Sequence, residues 1–506
     1  MAADQTPQSS GAAREVLRHG PIYFVGTLLN RAAGLLLLPL YLNVLTTAEF
    51  GVYAVIISII DLLGVAMGGA LGTTSCKLMV EKDDVAYQGR VFGSTLLAFS
   101  PFALVTLIAA IPVGALLAGL FAAGVTTPLV FQLVFVAVVL TTFFDILLDI
   151  IRVWRRSDVY VALSGLKAAL FIGLNLLALF VFDLGVLGII LSTMISAAVL
   201  TIAALVFITK RAPLSAEWSI VKRLYSLAAG LIPGVLLDAH LGSFDKFLIG
   251  GVIGPVAAGF FGAAARIAHL LRVAVHVPFS QIWTMIQLTE EARADDTRAE
   301  SAEVFLLFFT VFTAIACGLS ILGPEVLAVI ASDDKAAAAQ FVPFAAAALV
   351  AHIMKWQFEL SLVGRARTGA ITQVSLIIAL LATPAYIWAV YAHGAMGVAA
   401  VVAATGFVRA AMTGWVARRI SAQARASLLV LQLLVLGVGG LAVAASWMIF
   451  SMGDAFEHLV GKAILLAAML GAMSAILFQN GRRRAAVAGL IAQGRGALLR
   501  RKGRAA

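Results

Sequence analysis

Fourteen apolar runs, each long enough to cross the roughly 30 Å hydrocarbon core of a bilayer, follow one another along the chain. They fall at 20–44, 51–75, 91–118, 129–151, 159–182, 186–209, 225–251, 256–286, 303–331, 341–363, 369–392, 396–417, 427–451 and 458–479. Connections between them stay under about 20 residues, which leaves no room for a soluble catalytic domain on either face. Backbone N–H and C=O groups in hydrocarbon must be satisfied within the protein, so open runs of this length fold as helices. The predicted class is an all-α polytopic membrane protein. Composition agrees: 62% of residues are hydrophobic and 12% charged, against about 45–50% and about 25% in soluble domains.

The loops set the topology. Of 36 lysines and arginines, 27 fall on alternate loops and the two tails. Arg14 and Arg18 begin the series and the tail from Arg482 to Arg504 ends it. The opposite loops hold only Lys335 and Lys462. This positive-inside bias predicts that both termini are cytoplasmic. It also reads the net charge of +10 as topology anchoring near anionic lipid, with no nucleic-acid partner. Cys76 and Cys317, the only cysteines, are too few for a disulfide framework or a zinc site.

Sliding the chain on itself by 208 positions aligns 29–63 with 237–271 without a gap. Gly34 meets Gly242, Val44 meets Val252, Gly51 meets Gly259 and Ile59 meets Ile267, while FGVY (50–53) faces AGFF (258–261). Both copies start from the same membrane face, so the repeat is parallel, with a pseudo-two-fold along the membrane normal. The organisation expected is a tail (1–19), an N-lobe of six helices (20–209), a linker (210–224) and a C-lobe of six helices (225–417). Two appended helices (427–479) and a basic cytoplasmic tail (480–506) follow.

Seven cations interrupt the apolar runs: Arg31, Lys167, Lys246, Arg266, Arg272, Lys355 and Arg409. At about 2.5–3.5 kcal/mol each at a helix centre, seven facing lipid would cost roughly 17–25 kcal/mol. That exceeds the stability of a typical fold, about 5–15 kcal/mol. They must pair with acids or share a polar cavity suited to an anion. Helical spacing places Arg266, His269, Arg272 and His276 within one arc, and His352, Lys355 and Glu359 within another. Asp145 and Asp149 lie one turn apart, and Asp238 and Asp245 share a face. Lys355 with Glu359, Lys246 with Asp245, and Asp149 with Arg152 have structural pairings open to them, and Arg272 and His276 can snorkel to an interface. Arg31 and Arg266 lie deepest in their runs and are the leading anion ligands. Asn30, Lys167, Arg272, Lys246 and Arg409 are further candidates, and Asp61, Asp238, Asp245 and Glu359 are candidates for carrying a coupling ion. His269 stands where the repeat places Asp61.

Signatures of soluble enzymes are missing. There is no G-x-x-x-x-G-K-[ST], H-E-x-x-H, C-x-x-C or G-x-S-x-G. A non-enzymatic transporter without cofactor or metal, driven by an ion gradient, is the simpler expectation.

The stretch 20–64 resembles the opening of bacterial polysaccharide-repeat-unit flippases, the Wzx-type transporters of the MOP (MATE/flippase) superfamily. The resemblance rests on Phe24, Gly26, Asn30-Arg31, Leu38-Pro39-Leu40-Tyr41 and Leu45-Thr46-x-x-Glu49-Phe50-Gly51-x-Tyr53. A second match, 244–268, is similar to the opening of that family's second half, with Phe261 in place of the usual tyrosine and Lys246 in place of the commoner arginine. The resemblance implies two six-helix lobes around a central cavity. It implies movement of an undecaprenyl-diphosphate-linked oligosaccharide across the bacterial inner membrane by alternating access, in O-antigen (lipopolysaccharide), capsule or exopolysaccharide synthesis. A polymerase and a chain-length regulator of that pathway are partners it suggests. Arginine suits this cargo because its planar fork matches phosphate bidentately. The rival readings are a peptidoglycan-precursor flippase, a multidrug exporter of the same superfamily, and a membrane glycosyltransferase or polymerase. The intramembrane charges show no acidic excess for cationic drugs, and no large loop exists for the enzymes.

Overall fold

The computed structural model describes residues 33–34, 36–82, 84–122, 124–154, 156–290, 295–364, 367–420, 426–450 and 458–478. Asn30 and Arg31 lie outside them. Every long element among the described residues is helical. In chain order they are α1 (Leu38–Val44), α2 (Thr47–Gly64), α3 (Ala70–Val80), α4 (Val85–Phe121), α5 (Pro128–Val153), α6 (Ser157–Leu176), α7 (Gly185–Thr209) and α8 (Trp218–Leu248). The second half continues with α9 (Pro255–Leu271), α10 (Val277–Glu290), α11 (Asp295–Ile321), α12 (Gly323–Ile330), α13 (Val342–Gly364), α14 (Thr368–Ile420), α15 (Ala426–Phe450) and α16 (Leu459–Phe478).

Twelve helices among the described residues are long and apolar enough to cross a membrane, where the hydropathy pattern predicts fourteen. Two places account for the difference. α14 joins the expected spans 369–392 and 396–417 in one element, yet Gly394 at φ 63° and ψ −150° breaks its helical path. That left-handed conformation is open to glycine and strained for a residue with a Cβ. Most of the first expected span, 20–44, lies outside the described residues.

α2 and α9 form the seam between the two halves. α2 begins at a capping box: the Glu49 amide donates to Thr46 Oγ1 at 3.3 Å, and the Thr46 amide donates to Glu49 Oε2 at 2.9 Å. Two orphan donors of the first turn are satisfied this way. Gly51 then brings α2 against α9 so closely that a Cβ there would sit 1.8 Å from the Pro255 carbonyl oxygen. Gly259 does the reciprocal thing, its Cβ position being 2.0 Å from the Thr47 carbonyl oxygen. Thr47 and Pro255 are 208 apart, as are Gly51 and Gly259. A Cβ on Gly262 would lie 2.7 Å from the Ala54 Cβ, and Ala54 is its own counterpart by the same offset. The repeat is therefore a pseudo-two-fold that passes between Ala54 and Gly262.

Beyond this contact the two helices take different partners. α2 continues through a π-helical turn, Val65–Gly69, into α3, which packs on α5, α8 and α4. α9 continues through a π-helical turn, Arg272–His276, into α10, which packs on α13 and α11. The two turns occupy repeat-equivalent positions to within one residue. At the face that carries the basic loops, α8 links the halves, packing on α3 and α4 of the first and on α14 of the second.

Three cores follow from this arrangement. One buries residues of both halves along the seam, including Tyr41, Phe50, Phe261 and Ile267. One belongs to the first half, including Phe92, Phe144 and Leu200, and one to the second, including Phe305, Phe309 and Ile353. α8 starts at Trp218, ahead of the expected 225, and Ile220, Val221 and Leu224 are part of the first-half core. α15 and α16 pack on α11, where a Cβ on Gly439 would meet Cys317 Sγ at 2.6 Å. Lys462 of α16 donates to Glu325 of α12 at 2.6 Å, both buried.

The seam predicts a contrast between two aligned glycine pairs. Gly51→Ala and Gly259→Ala push a methyl into backbone, and overpacking of this kind costs about 1–3 kcal/mol. Gly34→Ala and Gly242→Ala, with nothing within 4 Å of their Cβ positions, leave stability unchanged. Thermal unfolding of the four purified variants reads the difference as a lower Tm for the first pair only.

Candidate functional site

The seam between α2 and α9 carries a group of polar and charged residues around Arg266. Its guanidinium lies 5.8 Å from the centroid of the Tyr53 ring, within reach of a cation–π interaction. Tyr53 packs edge-on against Tyr41 at 5.3 Å, and the Tyr41 hydroxyl donates to Asn175 Oδ1 at 2.8 Å. Arg266 is half-buried, held on α9 by the aromatic pair that α1 and α2 supply. Two turns beyond Tyr53 on the same helix, Asp61 is exposed. His269 and Arg272 stand half-buried further along α9 and its π turn.

Asp61 opens onto a cleft of about 290 Å³ within the first half, lined also by Thr141, Thr142, Asp145 and Asp149. Two glycines make the room: a Cβ on Gly68 of the π turn would strike Thr142 Cγ2 at 2.5 Å, and one on Gly72 of α3 would meet Asp149 Oδ2 at 2.8 Å. Two cations border the cleft. Lys167 lies 3.6 Å from Asp145 Oδ1 and over the Phe144 ring at 4.5 Å. Arg152 lies 3.4 Å from Asp149, the pairing its spacing suggested.

The second half answers with bases. His276 is buried between Phe308, His352 and Trp356, with ring centroids 6.4, 6.1 and 4.8 Å away. Neither of its ring nitrogens has a hydrogen-bond partner, so it is packed in the C-lobe and does not snorkel. Lys355 is buried and pairs with Glu359 at 2.9 Å one turn away. Arg409 of α14 binds Asp238 of α8 and also donates to Ser375 Oγ at 2.8 Å, while Ser375 donates to Asp238 Oδ1 at 3.1 Å. Lys246 pairs with Asp245 at 3.0 Å and donates to the Gly242 carbonyl at 2.9 Å.

Of the seven cations singled out in the sequence, Lys167, Lys246, Lys355 and Arg409 have a carboxylate within 4 Å. Arg266 stands on α9 and Arg272 on the π turn that follows it, and Arg31 lies with Asn30 outside the described residues. Among the four acids, Asp238, Asp245 and Glu359 are joined to Arg409, Lys246 and Lys355, whereas Asp61 faces the cleft. Sequence reasoning missed the roles of Lys335 and Lys462, taken as loop cations but buried at 1% and 4% exposure. The available signal was the acid beside Lys335 in sequence, Asp334, while the partner of Lys462, Glu325, lies 137 residues away.

The buried Lys355–Glu359 pair separates structural from ligand-facing charge. Lys355→Ala leaves Glu359 without its counterion and costs about 3–5 kcal/mol; Lys355→Met with Glu359→Leu recovers most of the loss. Arg266→Met, at a half-buried site without a carboxylate partner in the described contacts, leaves the yield and Tm of purified protein close to the parent.

Residues 43–317 match the family model described as polysaccharide biosynthesis protein. No curated protein matches the chain by sequence. Among solved structures, the fold is similar to that of the lipid II flippase MurJ in an inward closed conformation. The TM-score is 0.72 at 13% identity, covering 90% of this chain and 98% of that one. It is also similar to an inward-facing multidrug resistance MATE family transporter of the MOP superfamily, at TM-score 0.64 and 14% identity over 80% and 96% of the two chains. A Vibrio cholerae MATE transporter, VcmN, aligns at TM-score 0.55 and 15% identity over 83% and 99%. At such identities the likeness is one of fold.

Proposed function

The chain belongs to the polysaccharide biosynthesis protein family, and we propose on that premise that it flips polyprenyl-diphosphate-linked oligosaccharide repeat units across the cytoplasmic membrane. The cargo enters from the inner leaflet and leaves in the outer leaflet by ion-coupled alternating access, with both termini cytoplasmic. It serves assembly of O-antigen, capsule or exopolysaccharide, upstream of a polymerase and its chain-length regulator.

One observation supports the reading: two pseudo-symmetric halves meet along α2 and α9, and Arg266 sits half-buried on that seam beside the Tyr53 ring. A diphosphate reaching this seam meets a guanidinium set against an aromatic face. It can accept bidentate, charge-assisted hydrogen bonds from it. Arg31 and Asn30 join Arg266 in the proposal by their place in the opening motif, and Arg272 by its place on the π turn that follows α9. Lys167, Lys246 and Arg409 contribute long-range positive charge, because each already shares its charge with an acid. The coupling ion is assigned to Asp61 in the cleft with Asp145 and Asp149. Asp238, Asp245 and Glu359 hold the neighbouring cations and respond when those move. The polyprenyl tail needs no polar enclosure and stays in lipid.

A peptidoglycan precursor is the second reading, favoured by the shared fold with the lipid II flippase; the two cargoes present the same diphosphate. Deleting the gene distinguishes them: surface polysaccharide disappears with cells still growing in the first case, and growth fails in the second. Complementation with Arg266→Ala, confirmed as inserted by immunoblot of membranes, lowers surface polymer about 100-fold or more. That is the scale expected when a charge-assisted contact to a phosphate is lost in a dry site. Arg266→Lys recovers part of it, since lysine supplies the charge without the fork. Normal polymer from Arg266→Ala refutes the assignment.

A further inference from the structure

The Thr47 end of the seam is fastened by a short segment of the second half that reads both helix ends of the turn between α1 and α2. The C-terminal carbonyls of α1 and the first amides of α2 have no partners within their own helices. Lys335 lies against the carbonyl end, donating to Leu45 O at 2.6 Å. Asp334 takes the amide end, accepting from the Thr47 amide at 3.1 Å and from Thr47 Oγ1 at 2.6 Å. Ser332 donates to Leu42 O through its hydroxyl at 2.9 Å and its amide at 3.3 Å. Asn43 returns a bond to Ile330 O at 3.0 Å.

The signs are right at both ends. A helix C-terminus favours a cation and an N-terminus an anion, and two consecutive residues supply one of each. Lys335 is 1% exposed, so its ammonium depends on these acceptors; it also donates to Ser332 Oγ at 3.0 Å and Asp334 Oδ1 at 3.2 Å. Every one of these contacts with residues 42–47 joins the first half to the second. The positions that the repeat makes equivalent to Asp334 and Lys335 are Thr126 and Thr127, so the device is one-sided.

We propose that Asp334 and Lys335 form a releasable latch that holds the outer ends of the two halves together in the inward-facing state. Alternating access requires residues 42–47 and 330–335 to part when the outer face opens. The latch is then the contact whose breakage sets the population of the outward-open state. It rests on reading the chain as an alternating-access transporter and is independent of the cargo.

The test uses the full chain in spheroplasts, with Cys76→Ala and Cys317→Ala as background. Ser58→Cys supplies a reporter, being buried at 3% exposure on the same face of α2 as Ala54. A membrane-impermeant maleimide added outside labels it slowly when the latch is intact. Asp334→Ala and Lys335→Ala each raise the labelling rate about tenfold, as loss of a charge-assisted hydrogen bond does to a two-state population. In a second arm, Thr47→Cys with Asp334→Cys places two thiols where the side chains now touch. Oxidation arrests surface-polymer synthesis and reduction restores it. Labelling unchanged by both alanine variants, or normal synthesis from the oxidised double cysteine, overturns the latch. If the cargo reading fails, no polymer phenotype accompanies gene deletion, yet the labelling arm still reads the latch.

Discussion

The contact of α2 with α9 at backbone distance is the constraint from which the architecture follows. Two glycines, Gly51 and Gly259, let each helix rest on a carbonyl of the other. Without a hydrophobic difference between lipid and protein, membrane helices gain association from such close packing, and small residues at the crossing make it available. The close approach runs from Thr47 against Gly259 to Ala54 against Gly262. Past it, the π turns lead α3 onto α5, α8 and α4, and α10 onto α13 and α11. In the transport cycle proposed above, this seam is the pivot.

Intramembrane charge is organised by the same frame. Four of the seven cations are neutralised within one half: Lys167 by Asp145, Lys246 by Asp245, Lys355 by Glu359 and Arg409 by Asp238. A buried pair of this kind does not strengthen a fold much relative to apolar residues, but breaking it leaves a costly lone charge. The pairs therefore fix helix neighbours, α5 with α6 and α8 with α14, more than they stabilise the chain. Arg266 is handled differently, by the faces of aromatic residues from across the seam.

The element types, the parallel repeat and the local pairs at i, i+4 were legible in the sequence because each rests on a periodicity. Hydropathy marked the runs, and the 208-residue offset made Gly51 and Gly259 equivalent positions, though it did not foresee that each would touch the other's helix. The helix start at Trp218 was hidden because Lys222 and Arg223 interrupt the apolar signal while the helix itself continues. Lys335 and Lys462 were misjudged for a related reason. Loop position suggests solvent, whereas Lys335 is covered by a turn 290 residues away in sequence and Lys462 by Glu325. Partners so distant leave no trace in local spacing. The capping box at Thr46 and Glu49 explains physically two residues of the motif that carried the family resemblance.

The repeat is symmetric in backbone and asymmetric in charge. Asp61 corresponds to His269, Gly64 to Arg272 and Gly68 to His276, around π turns at matching depth. In the first half the glycines admit Thr142 and Asp149 and open an acidic cleft. In the second half the same positions carry bases that fill the space with side chains, His276 among them, packed against Trp356. One side of the seam is thus cut open and acidic, while the other is filled and basic. In the alternating-access cycle proposed above, rocking about the Gly51–Gly259 seam would change the distance between sides of opposite sign. An ion gained on the acidic side or an anion held on the basic one would then alter the electrostatic balance across the same hinge. On that proposal two ligands of opposite charge are coupled through the hinge without touching each other, because the backbone symmetry is preserved and the charge symmetry is broken.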